Sequence, residues 1–214
     1  MTVVAKICGL SSEAAVEAAV AGGAAYVGFV FYPPSPRSVS AARAGELSKA
    51  VPASVQRVGM FVDADDAAIA AALGAAPLDI LQFHGSESPE RVAEAKHRFG
   101  RKVMKAIAVA GPEDAAAAAR YEDVADLLLF DAKPPRRPDA LPGGNGLVFD
   151  WQLIAGRGWR LPWMLSGGLT AELLPEAVRI SGATAVDVSS GVERRPGDKD
   201  IDKIRAFLEV ARGL

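Results

Sequence analysis

The 214-residue chain is short of the side chains that make disulfides, metal sites and redox centres: it has one cysteine, two histidines and 7% aromatic residues. The lone Cys8 excludes an internal disulfide and points to a reducing compartment, so a cytoplasmic location is expected. Two histidines, His84 and His97, make no metal-ligand cluster with a single cysteine, and no metal is expected. Neither a glycine-rich dinucleotide pattern nor a P-loop follows the first apolar run, which argues against a nucleotide cofactor. Apolar runs of membrane length are missing, because Glu and Gly interrupt the alanine-rich stretches. Residues 1–8 lack the long apolar core of a signal peptide. Charge of one sign is missing too: 24 Lys and Arg face 26 Asp and Glu, a net charge of −2. Nucleic-acid binders show a basic excess or stripe, and charged tails show blocks of one sign. The expectation is a soluble protein with a small-molecule partner, no nucleic acid, no membrane, and a monomeric state.

What the sequence has in quantity is apolar residues and repetition. Half the residues are hydrophobic and 23% are charged, which excludes disorder and fits one core-forming domain over residues 1–214. Strand-like runs recur at 2–8, 25–31, 56–62, 78–83, 102–107, 125–131, 160–166 and 184–189. Helix-like segments lie at 11–21, 40–49, 65–73, 88–98, 112–119, 150–156, 170–180 and 200–212. Ser11, Ser40, Ser88 and Thr170 stand where N-caps belong. Most strand starts are about 23 residues apart, one βα unit each. Eight such units predict a parallel sheet closed into a (β/α)8 TIM barrel. An open doubly wound sheet is the alternative; near-equal repeats without a wide linker favour the barrel. Two spacings are longer, and their extra residues fall after strand 2 (32–39) and after strand 6 (132–149). Both loops open onto the C-terminal face, where barrel enzymes place their chemistry.

The candidate chemical groups sit at strand tips. Cys8 ends strand 1; most free cysteines are small buried hydrophobes, but this one points at the barrel mouth. A helix N-terminus near residue 11 would favour its thiolate, a base toward a carbon acid. Asp131 ends strand 6 behind three leucines and a phenylalanine, either as a turn residue or as a general acid in an apolar rim. Ser166-Gly167-Gly168 after strand 7 and Ser189-Ser190-Gly191 after strand 8 occupy the usual phosphate cradle of barrels. Arg37, in a proline-stiffened loop, is either a surface arginine or a fork for a carboxylate. His84 ends strand 4, where it contacts substrate or bonds backbone. Lys6 shares strand parity with Cys8, and a buried lysine needs a partner; Asp187 on the closing strand is the candidate. Trp151, Trp159 and Trp163 read as packing residues near strand 7.

Taken together, KICGL at 6–10, FYPPSPRSV at 31–39, LQFHG at 81–85, LLLFDAKP at 127–134, GGNGLVFDW at 143–151, LSGGL at 165–169 and DVSSGVE…PGDKD at 187–200 resemble phosphoribosylanthranilate isomerases. The motifs run in order from the first strand to the last helix. The resemblance implies a small (β/α)8 barrel of tryptophan biosynthesis that needs no cofactor. It also implies an Amadori rearrangement of N-(5-phosphoribosyl)anthranilate to 1-(2-carboxyphenylamino)-1-deoxyribulose 5-phosphate. It places the family's base on Cys8 and its acid on Asp131. The carboxylate contact falls on Arg37 and the phosphate loops on Gly167, Gly168, Ser190 and Gly191; His84 and Asp187 are further substrate-binding candidates. The related isomerase of histidine biosynthesis carries Asp rather than Cys at the first strand tip. A metal-dependent pentose-phosphate epimerase would want more histidines. A non-catalytic phosphate-binding barrel would need the glycine loops but not Cys8 and Asp131 together.

Overall fold

The computed structural model describes residues 3–135 and 141–214. Eight parallel strands close into a barrel in chain order. They are β1 (Val4–Cys8), β2 (Tyr26–Val30), β3 (Gln56–Phe61), β4 (Ile80–Phe83), β5 (Lys102–Val109), β6 (Leu127–Ala132), β7 (Trp163–Leu165) and β8 (Ala185–Val188). Around them run α1 (Glu13–Ala21), α2 (Ala41–Ser48), α3 (Asp66–Ala75), α4 (Pro89–Phe99), α5 (Pro112–Ala116), α6 (Leu174–Ser181) and α7 (Ile201–Gly213). The barrel matches the fold expected from the repeat spacing. No described helix is long and apolar enough to cross a membrane.

Strand alternation divides the core in two. Ile7, Val27, Phe29, Phe83, Val103, Leu128, Phe130, Leu165 and Val186 point outward and pack beneath the helices. Val58, Ile80, Met104, Ala106, Leu127, Leu129 and Met164 fill the barrel interior as a separate cluster. The same alternation carries polar groups up the inner wall. The register sets Lys6 beside Asp187, Cys8 beside Gly28 and Met60 beside Gln82. An inward position one pleat above an apolar plug therefore opens at the mouth, as Asp131 does two residues above Leu129.

Several local expectations are corrected. The N-cap of α1 is Ser12, which accepts from the Ala15 N–H, rather than Ser11. Ser40 and Ser88 cap α2 and α4 as expected. The helix expected from Thr170 starts at Leu174; Pro175 suits a first helical turn, and the Thr170 hydroxyl instead accepts from the Leu173 N–H at 3.3 Å. The segment 150–156 forms only a 3-10 turn at Trp151–Leu153, capped by Asp150. Gly156 and Gly158 follow with φ of 63° and 64°, which no helix continues through. The segment 112–119 divides into α5 and a 3-10 turn at Ala117–Tyr121. Trp159 and Trp163 pack on Phe130, with centroids 4.8 and 5.7 Å away. A hairpin not foreseen from the sequence, β9 (Glu193–Arg195) with β10 (Asp198–Lys199), stands between β8 and α7.

Candidate active site

One pocket opens at the C-terminal mouth of the barrel. Cys8, Arg37, His84, Asp131, Gly167, Gly168, Asp187, Ser190 and Gly191 all line it, together with Met60, Gln82, Gly143, Gly144 and Ser166. Every site residue named from the sequence is thus brought to one cavity. Cys8 is 6% and Asp131 also 6% exposed.

The thiol has room because its neighbour in the next strand is glycine. A Cβ at Gly28 would stand 2.9 Å from Cys8 Sγ. Beneath Cys8, the buried Lys6 ammonium donates to Asp187 Oδ1 at 2.8 Å, the pair expected from strand parity. The other oxygen, Oδ2, accepts from Ser166 Oγ at 3.2 Å. Burial works against the Lys6 charge, but Asp187, with help from Cys8, outweighs it and raises the lysine above its ordinary value. Burial also pushes the Cys8 thiol up; the Lys6 and Lys199 cations pull it back only in part. This corrects the expectation of a thiolate favoured by a helix end. Helix α1 starts only at Glu13, and desolvation of the sulfur is the larger effect.

Opposite, Asp131 Oδ1 accepts from the Ala132 N–H at 2.9 Å and Oδ2 meets His84 Nε2 at 3.1 Å. His84 Nδ1 in turn meets Gln82 Nε2 at 2.9 Å. The histidine is therefore bonded to two protein side chains at the pocket wall.

Arg37 is 4% exposed and needs a counter-charge. Glu193 supplies it, accepting from Nε and Nη2 at 2.8 Å each. Nη2 also donates to the Gly144 carbonyl at 3.1 Å. The expected two-pronged grip on a ligand carboxylate is corrected accordingly: the protein already holds the Nε–Nη2 edge, and among the described residues nothing accepts from Nη1. Glu193 also accepts from Lys199 Nζ at 2.8 Å. Burial would raise the Glu193 carboxyl, yet Arg37 and Lys199 hold it below its ordinary value. Lys199 donates as well to the Ser189 carbonyl and hydroxyl at 2.9 and 3.1 Å, so hairpin β9–β10 ties the Arg37 loop to the turn after β8.

At the far end, Gly167 and Gly168 have φ of 91° and 60°, a left-handed pair that only glycine adopts easily. Among the described residues no hydrogen bond occupies their N–H groups, so both remain available to oxygen. Ser190–Val192 forms a three-residue 3-10 turn, and a Cβ at Gly191 would overlap the Leu169 carbonyl. The two glycine turns lie against each other. Among the described residues no three His, Cys, Asp or Glu side chains gather to hold a metal ion.

Three groups escaped the sequence reading. Gln82 shares inward parity with His84, a signal that was present. Glu193 closes the DVSSGVE motif, but its partner lies 156 positions away. Lys199 lies in the PGDKD stretch of the resemblance, but that stretch does not reveal its partners Glu193 and Ser189.

Residues 5–210 match the family model described as N-(5'-phosphoribosyl)anthranilate (PRA) isomerase. The N-(5'-phosphoribosyl)anthranilate isomerase of Rhodospirillum centenum is 57% identical, with 100% of each chain covered. Monomers generated from the dimeric enzyme of Thermotoga maritima superpose with a TM-score of 0.85 at 37% identity, over 99% of this chain and 100% of that one. A phosphoribosylanthranilate isomerase in complex with reduced 1-(o-carboxyphenylamino)-1-deoxyribulose 5-phosphate gives a TM-score of 0.85 at 36% identity, over 99% and 100%. The chain therefore belongs to the N-(5'-phosphoribosyl)anthranilate isomerase family, the isomerases of the tryptophan pathway.

Proposed function

We propose that this pocket converts N-(5'-phosphoribosyl)anthranilate to 1-(2-carboxyphenylamino)-1-deoxyribulose 5-phosphate with Asp131 as general acid and Cys8 as general base. The supporting observation is the placement of a thiol on β1 and a carboxyl on β6 in the wall of one cavity. Asp131 gives a proton to the ribose ring oxygen. The C1′–O bond breaks, and the anthranilate nitrogen lone pair forms the C=N bond of an iminium. That cation acidifies the C2′ hydrogen, which the Cys8 thiolate removes to give an enolamine. C1′ then takes a proton and the 2′-hydroxyl loses one, restoring thiolate and carboxylic acid. The substrate's own nitrogen is the electron sink, so this route asks for no cofactor.

The two ends of the substrate find matching groups. The phosphate would sit on the N–H groups of Gly167, Gly168, Ser190 and Gly191, where backbone donors converge at the closing strands. The anthranilate carboxylate would meet Arg37 Nη1. Asp187 serves through Lys6 and Ser166, holding the charge beneath the thiol. A monomeric working unit belongs to this reading, and the free Cys8 suits a cytoplasmic location.

The test is a steady-state assay with N-(5'-phosphoribosyl)anthranilate and the phosphoribosyl substrate of histidine biosynthesis side by side. Catalytic loss of the anthranilate adduct's fluorescence is the expected result. A stoichiometric spectral shift without turnover would mark a binder, and a preference for the second substrate would overturn the assignment.

A further inference from the structure

Gln82 is fully buried beside the proposed acid, and its Oε1 has no hydrogen-bond partner among the described residues. Its Nε2 faces His84 Nδ1 at 2.9 Å, and His84 Nε2 faces Asp131 Oδ2 at 3.1 Å. These contacts form a chain of three side chains ending on the carboxyl that must carry a proton. An amide N–H on Nδ1 makes Nδ1 an acceptor, so the neutral ring carries its proton on Nε2 and donates to Asp131. This orientation of the amide suits the proton-poor form of the His84–Asp131 pair.

Adding one proton changes what Gln82 must do. The extra proton is shared between Nε2 and Oδ2, and the ring then also carries Nδ1–H. That N–H needs an acceptor, and the amide N–H is the wrong group. A half-turn of the Gln82 amide presents Oε1 instead, the atom now left unpaired. Only a side chain with a donor and an acceptor on one head can serve both forms.

We propose that Gln82 and His84 are positioning residues for the acid: His84 shares the working proton with Asp131, and the Gln82 amide sets how firmly the pair holds it. The inference rests on the reading of Asp131 as the acid. In turnover the pair gives one proton to the ring oxygen, passes through its proton-poor form, and recovers one from the 2′-hydroxyl. Gly143 closes over this bond; a Cβ there would lie 2.8 Å from His84 Nε2 and 2.9 Å from Asp131 Oδ2. The other titratable groups facing the pocket are Cys8, Arg37 and Asp187. On the adjoining strand, Lys105 is paired with Glu87, and Lys133, just beyond β6, is paired with Asp114.

Two measurements test the inference. In protein labelled with 15N-histidine, only His84 and His97 give ring signals, so each is readily assigned. His84 Nδ1 should gain its proton over the pH range in which kcat falls on the acid side. In Gln82→Met, Nδ1–H has no acceptor. Both events should move together to lower pH by about one unit, with roughly tenfold lower kcat at neutral pH and unchanged KM. A merely structural role would lower stability without moving either titration. The inference fails if His84 titrates apart from the acid limb, or if Gln82→Met leaves both in place. The wild-type titration decides even if Gln82→Met does not fold. Turnover surviving in Asp131→Ala would instead refute the acid assignment itself.

Discussion

Replacing Lys6 with methionine isolates the charge beneath the thiol. Lys6 is fully buried and its ammonium is 2.8 Å from Asp187, whose carboxylate is 4% exposed. Methionine fills a similar volume but leaves that carboxylate with only the Ser166 hydroxyl. Breaking one side of a buried pair costs about 3–5 kcal/mol. For a chain of this size the loss corresponds to a Tm drop of roughly 6–20 °C. Removing Asp187 as well should return much of it, because no charge is then left unpaired. Activity should not return with stability, since the thiol has lost the cation that most opposes its desolvation. Urea unfolding of Lys6→Met, Asp187→Asn and the double variant gives the coupling from one cycle. A coupling below about 0.5 kcal/mol would refute the reasoning, as would a double variant with restored turnover.

Arg37→Ala should weaken substrate binding by roughly 2–5 kcal/mol and leave Glu193 with Lys199 alone, read as a raised KM with a lower Tm; unchanged kinetics would remove Arg37 from the site. Gly28→Ala places a methyl 2.9 Å from Cys8 Sγ and should cut kcat while costing about 1–3 kcal/mol of stability; wild-type kcat would show that the thiol's position is not critical. The proposed active form pairs a thiolate with a protonated carboxyl. The product of the two fractions is flat between the two ionisations. It declines once pH passes the thiol's, so the alkaline limb of kcat/KM should fall above the ordinary thiol value of 9.0. Cys8→Asp should move that limb far to acid, and a limb unmoved by the substitution would assign it elsewhere.

The barrel was legible because eight βα repeats carry their own period, and each apolar run announces a strand whatever its partner. Cys8, Asp131, His84 and the glycine turns were legible because strand ends map onto one face of this fold. The Lys6–Asp187 pair followed from parity, since a lysine inside an apolar strand demands a counter-charge. What stayed hidden depends on distant partners. Arg37 reads as a free fork until Glu193 is placed on it by hairpin β9–β10. Gln82 reads as one polar residue in a strand until the His84 ring stands above it. The thiol's proton affinity needed the burial of sulfur and two lysines, neither of which spacing records. The segment 150–156 has helix-forming residues but is ended by glycines whose left-handed backbone shows only in the fold.

The most direct measurement is the turnover of Cys8→Ala and Asp131→Ala, each shown by circular dichroism to keep the barrel. Each should lose about 10²–10⁴ in kcat, with KM much less affected, because proton transfer is removed and the binding groups remain. Near-normal kcat in either folded variant would contradict the acid–base pair on which the account stands.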